Sequence, residues 1–185
     1  MSHSHGVAIL IKKGVDYTLH SKIIDALGRY IIRKSKIQDK IYVFINIYAP
    51  NKDKDSFKFF ADLLARLKNE TLDEEENIII GADFNCPFNT ILDKKGGILI
   101  PRKSVVSIKN SIQGDLHLID IWRVKNPNTK SYKWSQNSPM ILCRLDYWLI
   151  HNNLHDLITS TDIIAAIKTD HSAICLELNN NDNQI

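Results

Sequence analysis

The sequence has little that would cross-link it covalently or place it in a membrane. Its 3 cysteines are far apart and show no Cys-x-x-Cys spacing, so neither a disulfide framework nor a zinc site is predicted. No apolar run approaches the roughly 20 residues that a membrane-spanning helix needs. The first six residues are not a basic stretch leading into an apolar one, so no secretory signal is visible. We therefore expect a reduced intracellular protein, nuclear or cytoplasmic, with no membrane partner.

Composition and charge are those of an ordinary globular domain. Hydrophobic residues make up 44% and charged residues 24% of the 185 positions, enough for one domain with a sizeable core. The net charge of +3 permits a polyanionic ligand without requiring one. We predict a single domain over residues 1–178, a polar tail over 179–185, and a monomer as the default state.

Apolar runs separated by turn residues predict many strands and few helices. Ile41–Tyr48 is nearly all apolar or aromatic, which is typical of a strand buried on both faces, and Pro50 ends it. Apolar residues recur at helical spacing over Ser56–Glu70. A second helix is predicted over Lys103–Gln113 and a long loop over Cys86–Arg102. Further strands are predicted over Gly6–Ile11, Arg29–Arg33, Asn77–Ile80, Tyr132–Trp134, Arg144–Ile150 and Ala173–Leu178.

Polar residues follow one of these strands at the point where it ends. Asp83 and Asn85 are two positions apart, so both project to one side if the strand geometry continues. One of them can then act as a base or metal ligand while the other donates to a phosphate oxygen. The Gly-x-Asp-x-Asn pattern suits a tight turn equally well.

A second group of polar residues lies nearer the end of the chain. Asp170 precedes His171, and a hard cation prefers carboxylate oxygen while an imidazole beside it can act as donor or acid–base group. An exposed aspartate next to a hydrogen-bonded histidine is the alternative. Asp146 lies in an apolar stretch and must be paired if it is buried. Its predicted partner is His171, and the alternative is Arg144 or Arg123.

Tyr48 and Asn51 flank an Ala-Pro turn. The phenol and the amide are suited to contacting a phosphate, although a tyrosine in an apolar strand is often part of the core. Lys94 and Lys95 lie in the long loop, where they are suited either to a nucleic-acid backbone or to a solvated face. Carboxylates, an amide and an imidazole at strand ends are together the groups needed for metal-assisted attack on a phosphodiester.

Four short motifs occur in a fixed order along the chain: Asn46-Ile-Tyr-Ala-Pro-Asn51, Gly81-Ala-Asp-Phe-Asn85, Arg144-Leu-Asp-Tyr147 and Thr169-Asp-His-Ser172. In this order and spacing they resemble the endonuclease/exonuclease/phosphatase superfamily, which includes DNase I, exonuclease III and the abasic-site endonucleases. The stretches at Asp120–Pro127, Tyr132–Trp134 and Arg144–Ile150 resemble, within it, the endonuclease domain of LINE-type retrotransposon polyproteins. The match runs from about Gly6 to Leu178.

The resemblance implies an α+β, DNase I-like sandwich of two mainly antiparallel β-sheets with helices packed outside. It also implies a metal-dependent DNA endonuclease in which water attacks the scissile phosphate of a duplex. Asp83 would orient or deprotonate that water, and Asn85 would hold the phosphate. His171 would contact the scissile phosphate and would be oriented by Asp146.

The same resemblance assigns a metal site and further phosphate contacts. Asp170 and Asp83 would bind Mg²⁺ or Mn²⁺. Tyr48 would support the phosphate or the leaving group, and Asn51 would be a further contact to the DNA backbone beside Asn85.

One departure from the family pattern concerns the first strands. Members begin with a strand bearing an asparagine, then a helix, then a strand bearing a glutamate that ligates the metal, whereas this sequence opens at the next strand, Gly6–Ile11. We therefore expect an N-terminally incomplete domain with the first strands of one sheet missing. An exposed sheet edge, uncovered apolar surface and weak or no nuclease activity should follow.

Two other functions fit the same residues. A phosphoesterase acting on small or lipid phosphates would use the same constellation. A non-catalytic nucleic-acid-binding remnant would explain the missing glutamate. The retrotransposon-like stretches favour the endonuclease over the phosphoesterase.

Overall fold

The computed structural model describes residues 6–70, 76–98, 103–132, 134–164 and 171–179. These residues form three α-helices, α1 (Asp53–Glu70), α2 (Lys103–Asp115) and α3 (Ile121–Lys125), and a 3₁₀ helix over Asn152–Leu157. They also form eleven strands: β1 (Thr18–Ile24), β2 (Tyr30–Ile37), β3 (Lys40–Tyr48), β4 (Asn77–Asp83), β5 (Lys94–Lys95), β6 (Leu118–Asp120), β7 (Trp134–Asn137), β8 (Met140–Cys143), β9 (Asp146–His151), β10 (Ile158–Ile164) and β11 (Ala173–Leu178).

The strands form one large sheet and two small ones. The large sheet has six strands in the order β1-β2-β3-β4-β9-β6, and the small sheets are β5-β8-β7 and β10-β11. Among the described strands, only the β3–β4 pairing is parallel, as the mainly antiparallel prediction requires. An isolated antiparallel bridge between Trp134 and His171 links the two small sheets into a second layer.

The large sheet is covered by helices on one face and by strands on the other. Successive strand residues point to opposite faces, so the central strands β3, β4 and β9 supply both clusters. On the helical face, a buried cluster joins the sheet to α1 and α2 through Val43, Ile45, Ile80, Leu149, Phe60, Leu67, Ile108 and Ile112. On the opposite face, a second cluster joins the sheet to β10 and β11 through Tyr42, Ile79, Ile150, Ile158, Leu176 and Leu178.

The β3–α1–β4 unit follows directly from the sequence pattern. Parallel neighbours need a long crossover, and α1 supplies it. Ser56 Oγ donates to the Pro50 carbonyl at 2.6 Å, which joins the first turn of α1 to the end of β3. Asp53 and Asp55 lie in that first turn, where negative charge is favourable.

The predicted strand over Gly6–Ile11 is wrong, because these residues form no strand in the structure. Both edges of β3 are already paired with β2 and β4, so the segment lies against the face of the sheet. There the Asn46 side-chain amide donates to the Ala8 carbonyl at 2.9 Å. An apolar run forms a strand only where a backbone edge is available to it.

Apolar side chains line an opening between the large sheet and β11, while the expectation of uncovered apolar surface stays a prediction. An open cavity of about 310 Å³ is lined there by Ile37, Tyr42, Phe44, Ile79, Trp148, Leu176 and Leu178. Within the described residues, no helix has both the length and the apolar character that a membrane crossing requires.

Gly81 lies in the large sheet at a position where an added side chain should lower stability. A methyl group added there would lie 2.5 Å from Cζ3 of Trp148, so Gly81→Ala should lower the free energy of unfolding by about 1–3 kcal/mol through overpacking. Gly114 lies in α2 with no atom within 4 Å of an added methyl group, so Gly114→Ala should raise stability by up to about 1 kcal/mol. Urea unfolding of both variants checks the pair, and equal effects would contradict it.

Candidate active site

Three polar side chains line up across the ends of three adjacent strands. Tyr48 at the end of β3 pairs with Asp83 at the end of β4, and Asp83 pairs with Asp146 at the start of β9. Ile80 and Ala82 of β4 belong to the helical cluster, so Asp83 points to the opposite face. The sheet therefore presents the phenol and two carboxylates in one row.

His171 completes this row from the second layer. Its Nδ1 lies 3.0 Å from Asp146 Oδ2, and its Nε2 lies 4.0 Å from Asp83 Oδ2. A carboxylate accepts but does not donate when ionised, so Nδ1 carries the hydrogen and Nε2 faces the Asp83 side. The side chains are partly exposed, at 32% for His171, 13% for Asp83 and 17% for Asp146, which leaves room for a ligand.

These three side chains also form a group that can hold a cation. One ligand atom from each of Asp83, Asp146 and His171 lies within 4.8 Å of the others. Two carboxylates suit a hard divalent ion such as Mg²⁺ or Mn²⁺. Asp170, the other predicted metal ligand, lies outside the described residues.

For Asn85 the sequence left two interpretations open, a tight turn and a site residue. In the structure Asn85 lies in a turn that also contacts Asp83. Strand geometry does not continue to it, because β4 ends at Asp83 and Asn85 has a φ of +51°. Asparagine tolerates this left-handed region better than most residues. Its backbone N–H donates to Asp83 Oδ1 at 2.8 Å, and its side-chain amide donates to the Ala49 carbonyl at 2.6 Å. The turn thus fixes Asp83 at the rim.

The Ala-Pro turn brings Tyr48 and Asn51 to the same rim. Arg29, which no sequence pattern indicated, lies beside Tyr48. Arg29 Nη1 donates to the Tyr48 carbonyl at 3.3 Å, and the guanidinium carbon lies 5.9 Å from the centre of the Tyr48 ring. A backbone bond from Tyr48 N to Arg29 O at 2.8 Å fixes the pair. Arg29 therefore adds positive charge beside the candidate site.

Two open grooves meet at Tyr48 and Asp83. The sheet-face groove, of about 570 Å³, is lined by Asn46, Gly81, Asp146, Trp148 and Ser172 among others. The hairpin groove, of about 500 Å³, is lined by Asn51, Asn85, Lys94, Trp134, Leu145 and His171 among others. An extended ligand can therefore reach the carboxylates from two directions.

A buried ion-pair network lies directly behind the row. Arg144 is 1% exposed and forms two hydrogen bonds to each of two carboxylates, Asp93 (2.9 and 3.2 Å) and Asp120 (3.1 and 2.5 Å). Arg123 adds a bond to Asp93 at 2.6 Å. The alternative in which Arg144 or Arg123 pairs with Asp146 is therefore wrong, since both arginines are bound to other carboxylates.

Aromatic rings and charge hold this network in place. The Arg144 guanidinium lies 4.9 Å from the ring of Trp122 and 4.2 Å from the ring of Tyr147. Burial alone would lower the pKa of Arg144, but its bonds to Asp120 and Asp93 raise that pKa above the ordinary value. Burial, together with the negative charge of Asp93, raises the pKa of Tyr147 well above its ordinary value. At neutral pH the arginine is charged and the phenol is protonated.

In sequence, the chain is similar to a transposon protein. No family model matches the chain. A transposon protein from Xenopus laevis, described as "Transposon TX1 uncharacterized 149 kDa protein", is 28% identical over 153 residues, which is 82% of this chain and 11% of that protein. The chain thus spans about a tenth of the curated relative that it matches.

Solved structures of similar fold include three nucleases. An AP endonuclease from Archaeoglobus fulgidus superposes with a TM-score of 0.68 at 16% identity, over 86% of this chain and 71% of that one. A 3′-5′ exonuclease from Neisseria meningitidis gives 0.67 at 18%, over 84% and 66%. The endonuclease domain of TRAS1, a telomere-specific non-LTR retrotransposon, gives 0.63 at 12%, over 86% and 68%. The predicted α+β, DNase I-like fold is confirmed, and these matches agree with the family resemblance of the sequence.

Proposed function

We propose that this chain is a divalent-metal-dependent phosphodiester hydrolase that cleaves duplex DNA. The observation that carries the proposal is the row Tyr48–Asp83–Asp146 with His171 bonded to its end, placed where two open grooves meet. Carboxylates beside an imidazole that is itself held by a carboxylate provide both a base and an oriented proton donor.

The donor set fits Mg²⁺ or Mn²⁺. Asp83 and Asp146 offer carboxylate oxygens, one from each lying within 4.8 Å of the other. In our proposal Asp83 would hold the ion, and Asp170, which directly precedes His171 in the chain, would be a further ligand. When bound, such an ion stabilises negative charge on the phosphate oxygens of the substrate.

The remaining catalytic roles would belong to different side chains. Asp83, held by the Asn85 N–H at 2.8 Å, would accept the proton of the attacking water. The water oxygen bonds to phosphorus as the P–O bond to the leaving sugar oxygen breaks, and that oxygen takes a proton from the His171 imidazolium. His171 in its imidazolium form, with hydrogen on both ring nitrogens, would donate from Nε2 to the scissile phosphate, while Asp146 fixes the orientation of the ring through Nδ1. Tyr48, Asn51 and Asn85 bind phosphate oxygens at the rim.

DNA is the substrate class that the surroundings favour. The proteins of similar fold include an AP endonuclease and a retrotransposon endonuclease domain. The grooves are open rather than enclosed, and Arg29 and Lys94 lie at their edges. An open site with basic residues at its rim is suited to an extended polyanion.

Nicking of supercoiled plasmid by the full chain tests the proposal. We expect open-circular product in the presence of Mg²⁺ and no product in EDTA, because the carboxylates alone do not neutralise the developing phosphate charge. The readout is the rate of conversion measured by gel densitometry over a Mg²⁺ titration. Nicking that is equally fast in EDTA would contradict the metal-dependent mechanism.

Parallel assays separate the alternatives. Release of phosphate from small phosphoesters or inositol phosphates without plasmid nicking would instead establish the phosphoesterase. If the chain is shown to be folded and binds DNA in a mobility-shift assay without cleaving it, the non-catalytic binder is established. Robust nicking would also show that the sequence-based expectation of weak or no activity, which the proposed function replaces, is wrong.

A further inference from the structure

The loop that carries Asn85 and the strand end that carries Asp146 are tied together by buried contacts. Phe84 N donates to the Leu145 carbonyl at 2.9 Å. The Tyr147 hydroxyl accepts from Phe88 N at 2.8 Å and lies 3.2 Å from the Cys86 carbonyl. Loop and strand therefore share one set of anchors.

The far end of the loop closes on Arg144. Asp93 accepts two hydrogen bonds from the Arg144 guanidinium, and the Asp93 carbonyl accepts from Arg144 N at 2.8 Å. Asp93 Oδ2 also accepts from Asn89 N at 3.0 Å. Arg144 and Asp93 are thus bonded to each other through both side chain and backbone, so a displacement of one should displace the other.

The carboxylate that orients the imidazole lies between two anchored positions. Asp146 is two residues after Arg144 and one before Tyr147, both of which are almost completely buried at 1% exposure. The Tyr147 hydroxyl also lies 2.9 Å from the Arg144 carbonyl, which closes the segment on itself. Neither Arg144 nor Tyr147 lines the sheet-face or hairpin groove.

We propose that Arg144, clamped between Asp93 and Asp120, is a positioning residue that holds Asp146 against His171 and Asn85 against Asp83. It touches no reacting group and acts only through the segment 144–147 and the loop 84–93. The kinetic test of this proposal rests on the proposed function, whereas the structural test does not. An error of about 1 Å in the placement of a reacting group can cost about 100-fold in rate.

The kinetic test compares Arg144→Met and Arg144→Lys with a matched control, Lys34→Met. Lys34 pairs with Glu76, which is buried, at the other end of the large sheet. Glu76 is seven positions from Asp83 along an extended chain, roughly 23 Å. Lys34→Met therefore damages a buried ion pair without reaching the site. All variants are assayed at a temperature where circular dichroism shows them folded.

We expect Arg144→Met to lower kcat for nicking about 100-fold with KM changed by less than about 3-fold. Arg144→Lys should recover part of kcat, because a lysine keeps the charge but not the paired geometry. Lys34→Met should leave kcat unchanged. Full kcat in folded Arg144→Met, or an equal loss in Lys34→Met, would overturn the proposal.

A measurement independent of activity keeps the two proposals separable. The hydrogen on His171 Nδ1 bonded to Asp146 should give a downfield imidazole resonance in the proton NMR spectrum, assigned by its absence in His171→Gln. We expect it in wild type and in Lys34→Met, and its loss in Arg144→Met. Retention of the resonance in Arg144→Met would overturn the positioning role. If wild type shows the resonance but no nicking, the proposed function fails while the positioning inference stands.

Discussion

His171→Ala is expected to lower the rate of plasmid nicking by about 100-fold to 10,000-fold, the range attributed to a positioned acid–base group. The imidazole is a donor whose side chain is held by a carboxylate, with Nδ1 at 3.0 Å from Asp146 Oδ2. Its removal leaves Asp83 and Asp146 in place, so metal and DNA binding should persist while the chemical step is lost. Single-turnover nicking rates with excess enzyme measure the effect.

His155 provides the matched control for this variant. It also pairs with a neighbouring carboxylate, at 2.7 Å from Asp156, but in the 3₁₀ helix and away from both grooves. His155→Ala should nick at the wild-type rate. A similar loss in both variants would show that the effect is on folding, and an active His171→Ala would remove the histidine from the mechanism.

Asp93→Asn is expected to lower the free energy of unfolding by about 3–5 kcal/mol. Asp93 is 0% exposed and accepts from both Arg144 and Arg123. Among the described residues, Arg144 then keeps only Asp120, and the Arg123 guanidinium keeps only backbone carbonyls, which leaves a positive charge uncompensated. Urea unfolding at pH 7, followed by circular dichroism, measures the loss.

An exposed ion pair provides the comparison. Asp39 pairs with Lys36 at 3.6 Å, with side-chain exposures of 100% for Asp39 and 45% for Lys36. Solvent screens such a pair, so Asp39→Asn should not change the urea midpoint measurably. A midpoint for Asp93→Asn close to that of Asp39→Asn would show that the buried network contributes little to stability.

The parts of the fold that the sequence predicts are those with a strong local pattern. The continuous apolar run of β3 and the helical spacing of α1 both identify elements that the structure contains. β1 was not predicted, because it is an edge strand whose residues are mostly exposed and show no apolar alternation. β10 was missed as well, since its burial depends on β11 and its own polar residues interrupt the pattern. Pairing between distant segments decides such strands.

The candidate site shows the same division between local and long-range information. The motifs identify Asp83, Asp146 and His171 individually, but only the pairing of β4 with β9 shows that two of them are neighbours. The supporting network was not predicted, because Asp93 and Arg144 are 51 positions apart and lie in no shared pattern. Arg29 likewise has no signal other than its position in a turn before β2. The roles of the predicted site residues stay predictions until the variants are measured.

The order in which the chain supplies the site has a consequence for its synthesis. β3, α1 and β4 are consecutive, so this unit can assemble as soon as it leaves the ribosome, where chains emerge at about 5–20 residues per second. Tyr48 and Asp83 then lack the second carboxylate and the imidazole until β9 delivers Asp146 and, 25 residues later, His171 follows. A growing chain therefore carries no assembled hydrolytic centre, and under the proposed function it cannot cut nucleic acid near the ribosome before translation has passed His171.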